Sequence, residues 1–127
     1  HHRLEYAVTG YEQPLLESRV EAESQLYNAG LRAVAGEVTL PELPSVESDH
    51  VYVAALKVAE EGDALVLRLA EYRGRAGRIR VRLPAYVRAA ERVNLLEREG
   101  CPVPVRGGVA ELGVRAWEIV TLRLERA

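Results

Sequence analysis

The sequence predicts an all-β protein, an antiparallel β-sandwich. Apolar and polar side chains alternate from Arg78 to Leu83, and this period of two is typical of a strand with one buried face. Turn residues such as Glu61-Gly62-Asp63 and the stretch from Gly74 to Gly77 separate segments of this kind. Strands that follow one another roughly every ten residues, with turn signals between them, are typical of a sandwich.

The first forty residues are predicted to contribute N-terminal strands. Residues 4–9 alternate and end at Gly10, and residues 31–37 form a second candidate. Residues 20–27 also have a period of two, although their residue types suit a helix as well. Pro14 precedes residues 15–19, which fit one helical turn.

Pro41 and Pro44 mark the predicted domain boundary, because prolines do not sit inside a central strand. We expect residues 1–40 to be N-terminal strands or the tail of a preceding domain, and residues 44–127 to be the β-sandwich. Within that domain the predicted strands are residues 51–56, 65–70, 78–83, 87–96, a proline-broken edge piece at 101–105, 109–114 and 117–124.

Composition excludes several classes of protein. With 127 residues, 48% of them hydrophobic, the chain is long enough for one domain with a core. A net charge of −2 argues against general nucleic-acid binding. No apolar run approaches the ~20 residues that a membrane-spanning helix needs, and no signal-peptide pattern is present. The lone Cys101 forms no intrachain disulfide, which favours a cytoplasmic location.

The sequence contains no methionine, not even at position 1. We therefore expect a fragment of a longer protein. On this interpretation His1 and His2 are either the end of an affinity tag or native residues.

The densest charge cluster is a run of arginines around the strand at residues 78–83. Its members are Arg73, Arg75, Arg78, Arg80 and Arg82. Such a run can bind phosphate or nucleic acid, but alternate residues of an antiparallel strand also face water, where neighbouring glutamates pair with them. We favour the solvated face, since the interleaved aromatic residues of single-strand binders are missing.

The acidic turn of Glu60, Glu61 and Asp63 is interpreted as structural. The paired carboxylates of glycosidases are held at defined separations across a cleft, whereas neighbours at a hairpin tip point into water in different directions.

The histidines give no catalytic or metal motif. His1, His2 and His50 match no zinc spacing, and the only cysteine is distant in sequence. Ser48, Asp49 and His50 are the three residue types of a triad, but adjacent residues do not supply the separate spatial positions that a triad requires.

Trp117 is expected in the core with its indole N–H satisfied. The alternative is a sugar-stacking platform formed with tyrosines such as Tyr52, Tyr72 and Tyr86. Cys101 lacks a histidine partner in a readable motif, and the glycines have no phosphate-loop spacing. We therefore expect no catalytic, cofactor-binding or metal-ligating residue in this chain.

Several segments together resemble the C-terminal part of family 38 α-mannosidases. Ala55 to Asp63, followed by Leu65 to Leu69 and Glu71, is similar to the family's Ala-Leu-Lys, Glu-Asp-Gly and Leu-Arg pattern with a downstream glutamate. Asn94 to Glu97 looks like its Asp-Leu-Leu-Glu.

Both ends of the chain extend the resemblance. Ala116 to Leu124 resembles the family's closing Pro-Tyr/Phe-Glu-Ile-x-Thr-Leu, and His2 to Ala7 is similar to its His-Arg-Phe-x-Tyr-Ala. Thr9-Gly10-Tyr11 departs from the usual Tyr-Pro-His, and Trp117 stands where the family has Tyr or Phe.

The resemblance implies a parent enzyme that releases α-linked mannose with retention of configuration. It implies that the parent's nucleophilic aspartate and its zinc ion, held by His and Asp ligands, lie in an N-terminal catalytic domain outside this chain. Residues 1–40 would be the tail of a β supersandwich, and residues 44–127 the terminal β-sandwich. Lys57, Glu60, Gly62 and Arg68 would then be family marks of a supporting domain.

The expected partner is the catalytic domain of the parent, whose substrate is a carbohydrate; no nucleic-acid or membrane partner is expected. Strands of residues 1–40 left without neighbours would allow a homo-oligomer. A carbohydrate-binding module and a protein-interaction β-sandwich are the alternative functions.

Overall fold

The computed structural model describes residues 2–30 and 33–127. The chain forms two compact units, His1–Thr39 and Leu40–Ala127. All strands of the described residues belong to the second unit. They are β1 (Ser45–Glu47), β2 (Val51–Val58), β3 (Leu65–Glu71), β4 (Gly77–Arg82), β5 (Val87–Val93), β6 (Cys101–Val103), β7 (Val105–Arg106), β8 (Val109–Val114) and β9 (Ile119–Arg126).

The second unit is an antiparallel β-sandwich, as the sequence predicts. One sheet has four strands in the order β1-β4-β8-β7, and the other has five in the order β2-β3-β9-β5-β6. Strands β3 and β9 occupy the middle of the five-stranded sheet although about fifty residues separate them in sequence. Most of the strand pairing therefore joins segments that are far apart in the sequence.

The core lies between the two sheets. Leu67 of β3 stands directly opposite Leu122 of β9, and Leu65 opposite Leu124. Leu67 and Leu122 are fully buried and pack with Ile79 and Val81 of the other sheet. Burying one such side chain contributes about 1.5–3 kcal/mol.

The outer face of the five-stranded sheet carries apolar residues among its charged ones. Since alternate strand residues point to opposite faces, Val66, Arg68 and Arg123 point away from the core leucines. Val66, Val93 and Thr121 are nevertheless buried, and none belongs to the core cluster between the sheets. This outer face is therefore covered in part by the protein's own long side chains and loops.

The prediction of N-terminal strands was wrong. Residues 2–10 have no regular secondary structure, residues 33–39 contain no strand, and residues 20–27 belong to helix α1 (Val20–Ala29). Leu31 and Arg32, the start of one predicted strand, lie outside the described residues. The predicted helical turn at residues 15–19 is present as a 3₁₀ turn over Leu15–Glu17.

Local interactions explain why residues 20–27 form a helix. Gln25 donates to Glu21 one turn away (3.1 Å), and Asn28 donates to the Ser24 carbonyl (2.8 Å). Glutamates in the first turn suit the helix dipole, and Gly30 at φ 65° ends the helix. The alternation of residues 20–27 was not enough to predict a strand, because a strand also needs a partner strand to pair with.

Two predicted strands have different bounds from those expected: one ends earlier and the other is shifted by two residues. Strand β5 ends at Val93, because the Asn94 side chain accepts the backbone N–H groups of Leu96 and Arg98 and bends the chain into a loop. Strand β9 begins at Ile119, and the preceding Trp117 has a left-handed φ of 61°. A residue in that conformation does not continue a strand.

Candidate functional site

Charged residues from three segments meet at one end of the outer face of the five-stranded sheet. Lys57 of β2 contacts Glu60 of the following turn (2.5 Å) and Glu97 of the loop after β5 (2.7 Å). The other oxygen of Glu97 accepts the backbone N–H of Glu60 (2.8 Å). We call these three residues the Lys57 cluster.

The electrostatics of the Lys57 cluster keep Lys57 and Glu97 ionised. Hydrogen bonds from Lys57 and then from the Glu60 N–H lower the pKa of Glu97. Hydrogen bonds to Glu60 and then to Glu97 raise the pKa of Lys57. A general acid or base works best with a pKa near the working pH, and both shifts move away from it. The cluster is therefore unsuited to acid–base catalysis. Its contacts connect the turn after β2 to the loop after β5.

A second carboxylate, Glu71 at the end of β3, holds two loops together. It is buried and accepts the backbone N–H groups of Arg73 (2.7 Å), Gly74 (2.9 Å) and Trp117 (2.7 Å). Burial acts to raise the pKa of Glu71, but the donated N–H groups, that of Trp117 first, outweigh it and lower the pKa. This Glu71 network joins the turn before β4 to the turn before β9.

A third carboxylate, Glu118, links the two sheets. It accepts hydrogen bonds from the backbone and the guanidinium of Arg115 and from Arg92 (2.9 Å). Arg92 of β5 also donates to the Gly113 carbonyl of β8 in the four-stranded sheet (3.0 Å). Burial acts to raise the pKa of Glu118, but these donors lower it. All these carboxylates are occupied by partners within the chain.

The Ser48-Asp49-His50 segment is a turn rather than a triad. Ser48 Oγ (3.1 Å) and Asp49 Oδ1 (2.9 Å) both contact the same nitrogen of His50, Nδ1. A triad needs the two groups on opposite ring nitrogens. Ser48 Oγ also accepts the backbone N–H groups of His50 and Val51, as a turn residue does.

Three arginines of the run lie on the surface with carboxylate partners. Arg80 pairs with Glu111 (3.5 Å) and Arg82 with Glu47 (2.7 Å), both across neighbouring strands of the four-stranded sheet. Beside this sheet Arg75 pairs with Asp49 (3.1 Å), and Arg73 stacks on Tyr72 with 5.5 Å between the guanidinium carbon and the ring centre. These contacts are those that a solvated face predicts.

The core position expected for Trp117 was wrong, since the side chain is 62% exposed. The backbone N–H that Glu71 binds fixes the residue, and its ring lies against Gly74, where a Cβ atom would be 2.7 Å from the indole. Tyr52 and Tyr72 pack against each other with ring centres 5.6 Å apart. Tyr86 donates to the Glu42 carbonyl (2.9 Å).

The remaining candidates lie apart from one another. Cys101 is exposed on the edge strand β6, and Glu61 and Asp63 are exposed at the β2–β3 turn. His2 is exposed, and His1 lies outside the described residues. Within residues 2–30 and 33–127, no three His, Cys, Asp or Glu side chains are placed to hold a metal ion. Over the same residues, no helix has the length and apolar character of a membrane span.

A pocket of about 430 Å³ beside the Lys57 cluster was not foreseen from the sequence. Its walls include Arg68 of β3 and Arg123 of β9, the turn after β2, and the loop at residues 95–98. The repeated Leu-Arg-Leu sequence at residues 67–69 and 122–124 is the signal that could have found it, because pairing these strands places both arginines on the outer face.

The chain was compared with known proteins. The model of the glycosyl hydrolases family 38 C-terminal beta sandwich domain matches residues 50–122, more than half of the chain. No curated protein matches it. The matched residues include the Lys57 cluster, the Glu71 network and the Leu-Arg-Leu segment at residues 67–69. The chain therefore belongs to the family of glycosyl hydrolases family 38 C-terminal beta sandwich domains.

Proposed function

We propose that this chain is the non-catalytic C-terminal domain of an α-mannosidase that hydrolyses terminal α-linked mannose. Its role is to pack against the catalytic domain of the parent enzyme and to support it. The nucleophile and the zinc ion of that reaction belong to the catalytic domain. The family match supports the parent, and the outer face of the five-stranded sheet supports the packing role.

The observation that carries the packing role is the apolar character of this outer face. An exposed sheet face in an antiparallel sandwich is normally polar. Here Ile119 of β9 is 54% exposed, and Leu95 and Leu96 of the loop after β5 are 54% and 74% exposed. Leu95, Leu96 and Ile119 line one shallow depression on this face. Clustered exposed apolar residues mark contact surfaces.

The parent enzyme provides the test. In the enzyme that contains this chain, Leu96→Glu combined with Ile119→Glu should place two charges in the contact with the catalytic domain. We expect a clearly shorter half-life of aryl α-mannosidase activity at elevated temperature. Leu43→Glu is the matched control, because Leu43 is also 56% exposed but precedes β1 of the four-stranded sheet.

Two results would contradict this proposal. One is an inactivation half-life of the double variant equal to that of the Leu43→Glu control. The other is hydrolysis of an aryl α-mannoside by the 127-residue chain alone, at a rate well above the blank.

Exposed Trp117 supports a second candidate function, carbohydrate binding. An indole face held rigidly in water is suited to stacking on a pyranose ring. Calorimetric titration with methyl α-mannoside tests it. Saturable binding that Trp117→Ala abolishes would favour this module, and no heat of binding at millimolar sugar would exclude it.

A further inference from the structure

The pocket beside the Lys57 cluster contains two arginines that form no ion pair within the described residues. Arg68 and Arg123 point to the same outer face of neighbouring strands β3 and β9. Both are only partly exposed. Neither forms an ion pair with a described carboxylate. A partly buried guanidinium without a counter-charge is unfavourable.

Their hydrogen bonding is also incomplete. Arg68 donates one bond, from Nη2 to the Leu95 carbonyl (3.1 Å). The Nε atoms of Arg68 and Arg123 are buried and lack an acceptor among the described residues.

The neighbouring carboxylates do not meet this need. Glu97 gives both of its oxygens to Lys57 and to the Glu60 N–H, and Glu60 pairs with Lys57. Glu91 stands opposite Arg123 in the β5–β9 register, but its side chain lies against Gly100 and forms no ion pair with Arg123. These carboxylates therefore leave both arginines of the pocket without an ion-pair partner.

We propose that the pocket between Arg68 and Arg123 is a binding site for a carboxylate. Guanidinium groups bind planar oxyanions through paired N–H donors. The pocket is lined by three arginines and three glutamates, so that a singly charged carboxylate suits it better than a phosphate dianion. The exposed Leu95 and Leu96 at its rim suit a ligand with apolar groups beside the carboxylate. This inference depends on the sheet geometry alone and not on the function of the parent.

The source of the carboxylate is either a free small acid or an acidic side chain flanked by apolar residues on another domain. Sodium acetate represents the first source, and the peptide N-acetyl-Leu-Glu-Leu-amide represents the second. If a side chain is the natural occupant, the peptide binds more tightly than acetate because its leucines reach Leu95 and Leu96.

Titration of the 127-residue chain followed by the Nε–Hε NMR signals of its arginines tests the site. At constant ionic strength we expect saturable shifts of the Arg68 and Arg123 signals, with a Kd for acetate on the order of 10 mM, which is typical of a small fragment. Inorganic phosphate should bind more weakly, and neutral methyl α-mannoside should leave these two signals unchanged.

Substitutions complete the test. Arg123→Gln should abolish saturation at Arg68, whereas Arg123→Lys should retain weak binding and thereby show that the fold persists. Arg80→Gln is the control, because Arg80 is exposed on the other sheet and pairs with Glu111. The proposal is wrong if, in the unsubstituted chain, the Arg80 signal responds to acetate as the Arg68 and Arg123 signals do. It is also wrong if neither the Arg68 nor the Arg123 signal saturates.

Discussion

The buried side chain of Glu71 accepts several hydrogen bonds from backbone N–H groups. It supplies the acceptor for three N–H groups that belong to two separate loops. Backbone donors left unpaired in a buried position are costly. The glutamate that the family resemblance places downstream of the Leu-Arg strand therefore has a structural explanation.

Replacing Glu71 by Gln tests this explanation. The amide retains one acceptor oxygen but presents an NH₂ group to at least one donor, so that we expect a loss of about 1–3 kcal/mol in the free energy of unfolding. Glu111→Gln is the control, since Glu111 is exposed and makes only a long ion pair (3.5 Å). Urea unfolding measures both variants, and equal midpoints would contradict the assigned role.

The same residue predicts a pH dependence. The pKa of Glu71 is lowered from its ordinary value of 4.5 in the folded chain. Its stabilising contribution is therefore present above pH 4.5 and is lost as the pH falls through the folded-state pKa. The free energy of unfolding, measured from pH 6 down to pH 3, should fall less steeply in Glu71→Gln than in the unsubstituted chain. Identical slopes would show that Glu71 does not carry this linkage.

Gly74 makes a separate residue-scale prediction. Both Gly74 (φ 67°) and Gly107 (φ 56°) have left-handed backbones, so that alanine at either position costs about 1 kcal/mol from conformation alone. Only at Gly74 would the new Cβ meet the Trp117 ring, at 2.7 Å, whereas nothing lies within 4 Å at Gly107. Gly74→Ala should therefore lower the melting temperature more than Gly107→Ala and shift the Trp117 fluorescence. Equal melting temperatures would refute the contact.

At the scale of elements, the sequence was most informative where alternation and turn residues agreed. Strands β2, β3 and β4 follow the predicted segments closely, because glycine-containing turns bound them and their inward residues are apolar. Helix α1 was mistaken for a strand, because alternation over a short polar segment does not reveal whether a partner strand exists. The position of Trp117 was also wrong, because the Glu71 hydrogen bond that turns its backbone is a tertiary contact.

The pairing of β3 with β9 brings fully buried leucines together in the core. Leu122→Ala removes a fully buried side chain opposite Leu67 and should destabilise the sandwich by about 2–5 kcal/mol. Leu96→Ala removes the same atoms from a side chain that is 74% exposed and should change stability by less than about 0.5 kcal/mol in this chain. Similar effects of the two substitutions in urea unfolding would contradict the assigned core.

At the scale of the whole molecule, the buried valine, leucine, isoleucine and alanine residues of the described chain all lie between Val51 and Leu124. Sequence patterns were sufficient to find this domain and its family resemblance, because both can be recognised from the order of residues within short segments. They did not reveal the pocket or the apolar outer face, since these arise where β3, β9 and the loop after β5 meet. The carboxylates that resemble a site are instead hydrogen-bonded within the sandwich.

The central claim is that the outer face of the five-stranded sheet is the surface that contacts the rest of an α-mannosidase. Hydrogen–deuterium exchange, measured on this chain alone and on the longer enzyme, tests it most directly. We predict slower exchange in the longer enzyme over residues 94–99 and 115–121, with residues 77–82 of the opposite sheet unchanged. Equal exchange over residues 94–99 in both proteins, or protection confined to residues 77–82, would contradict the claim.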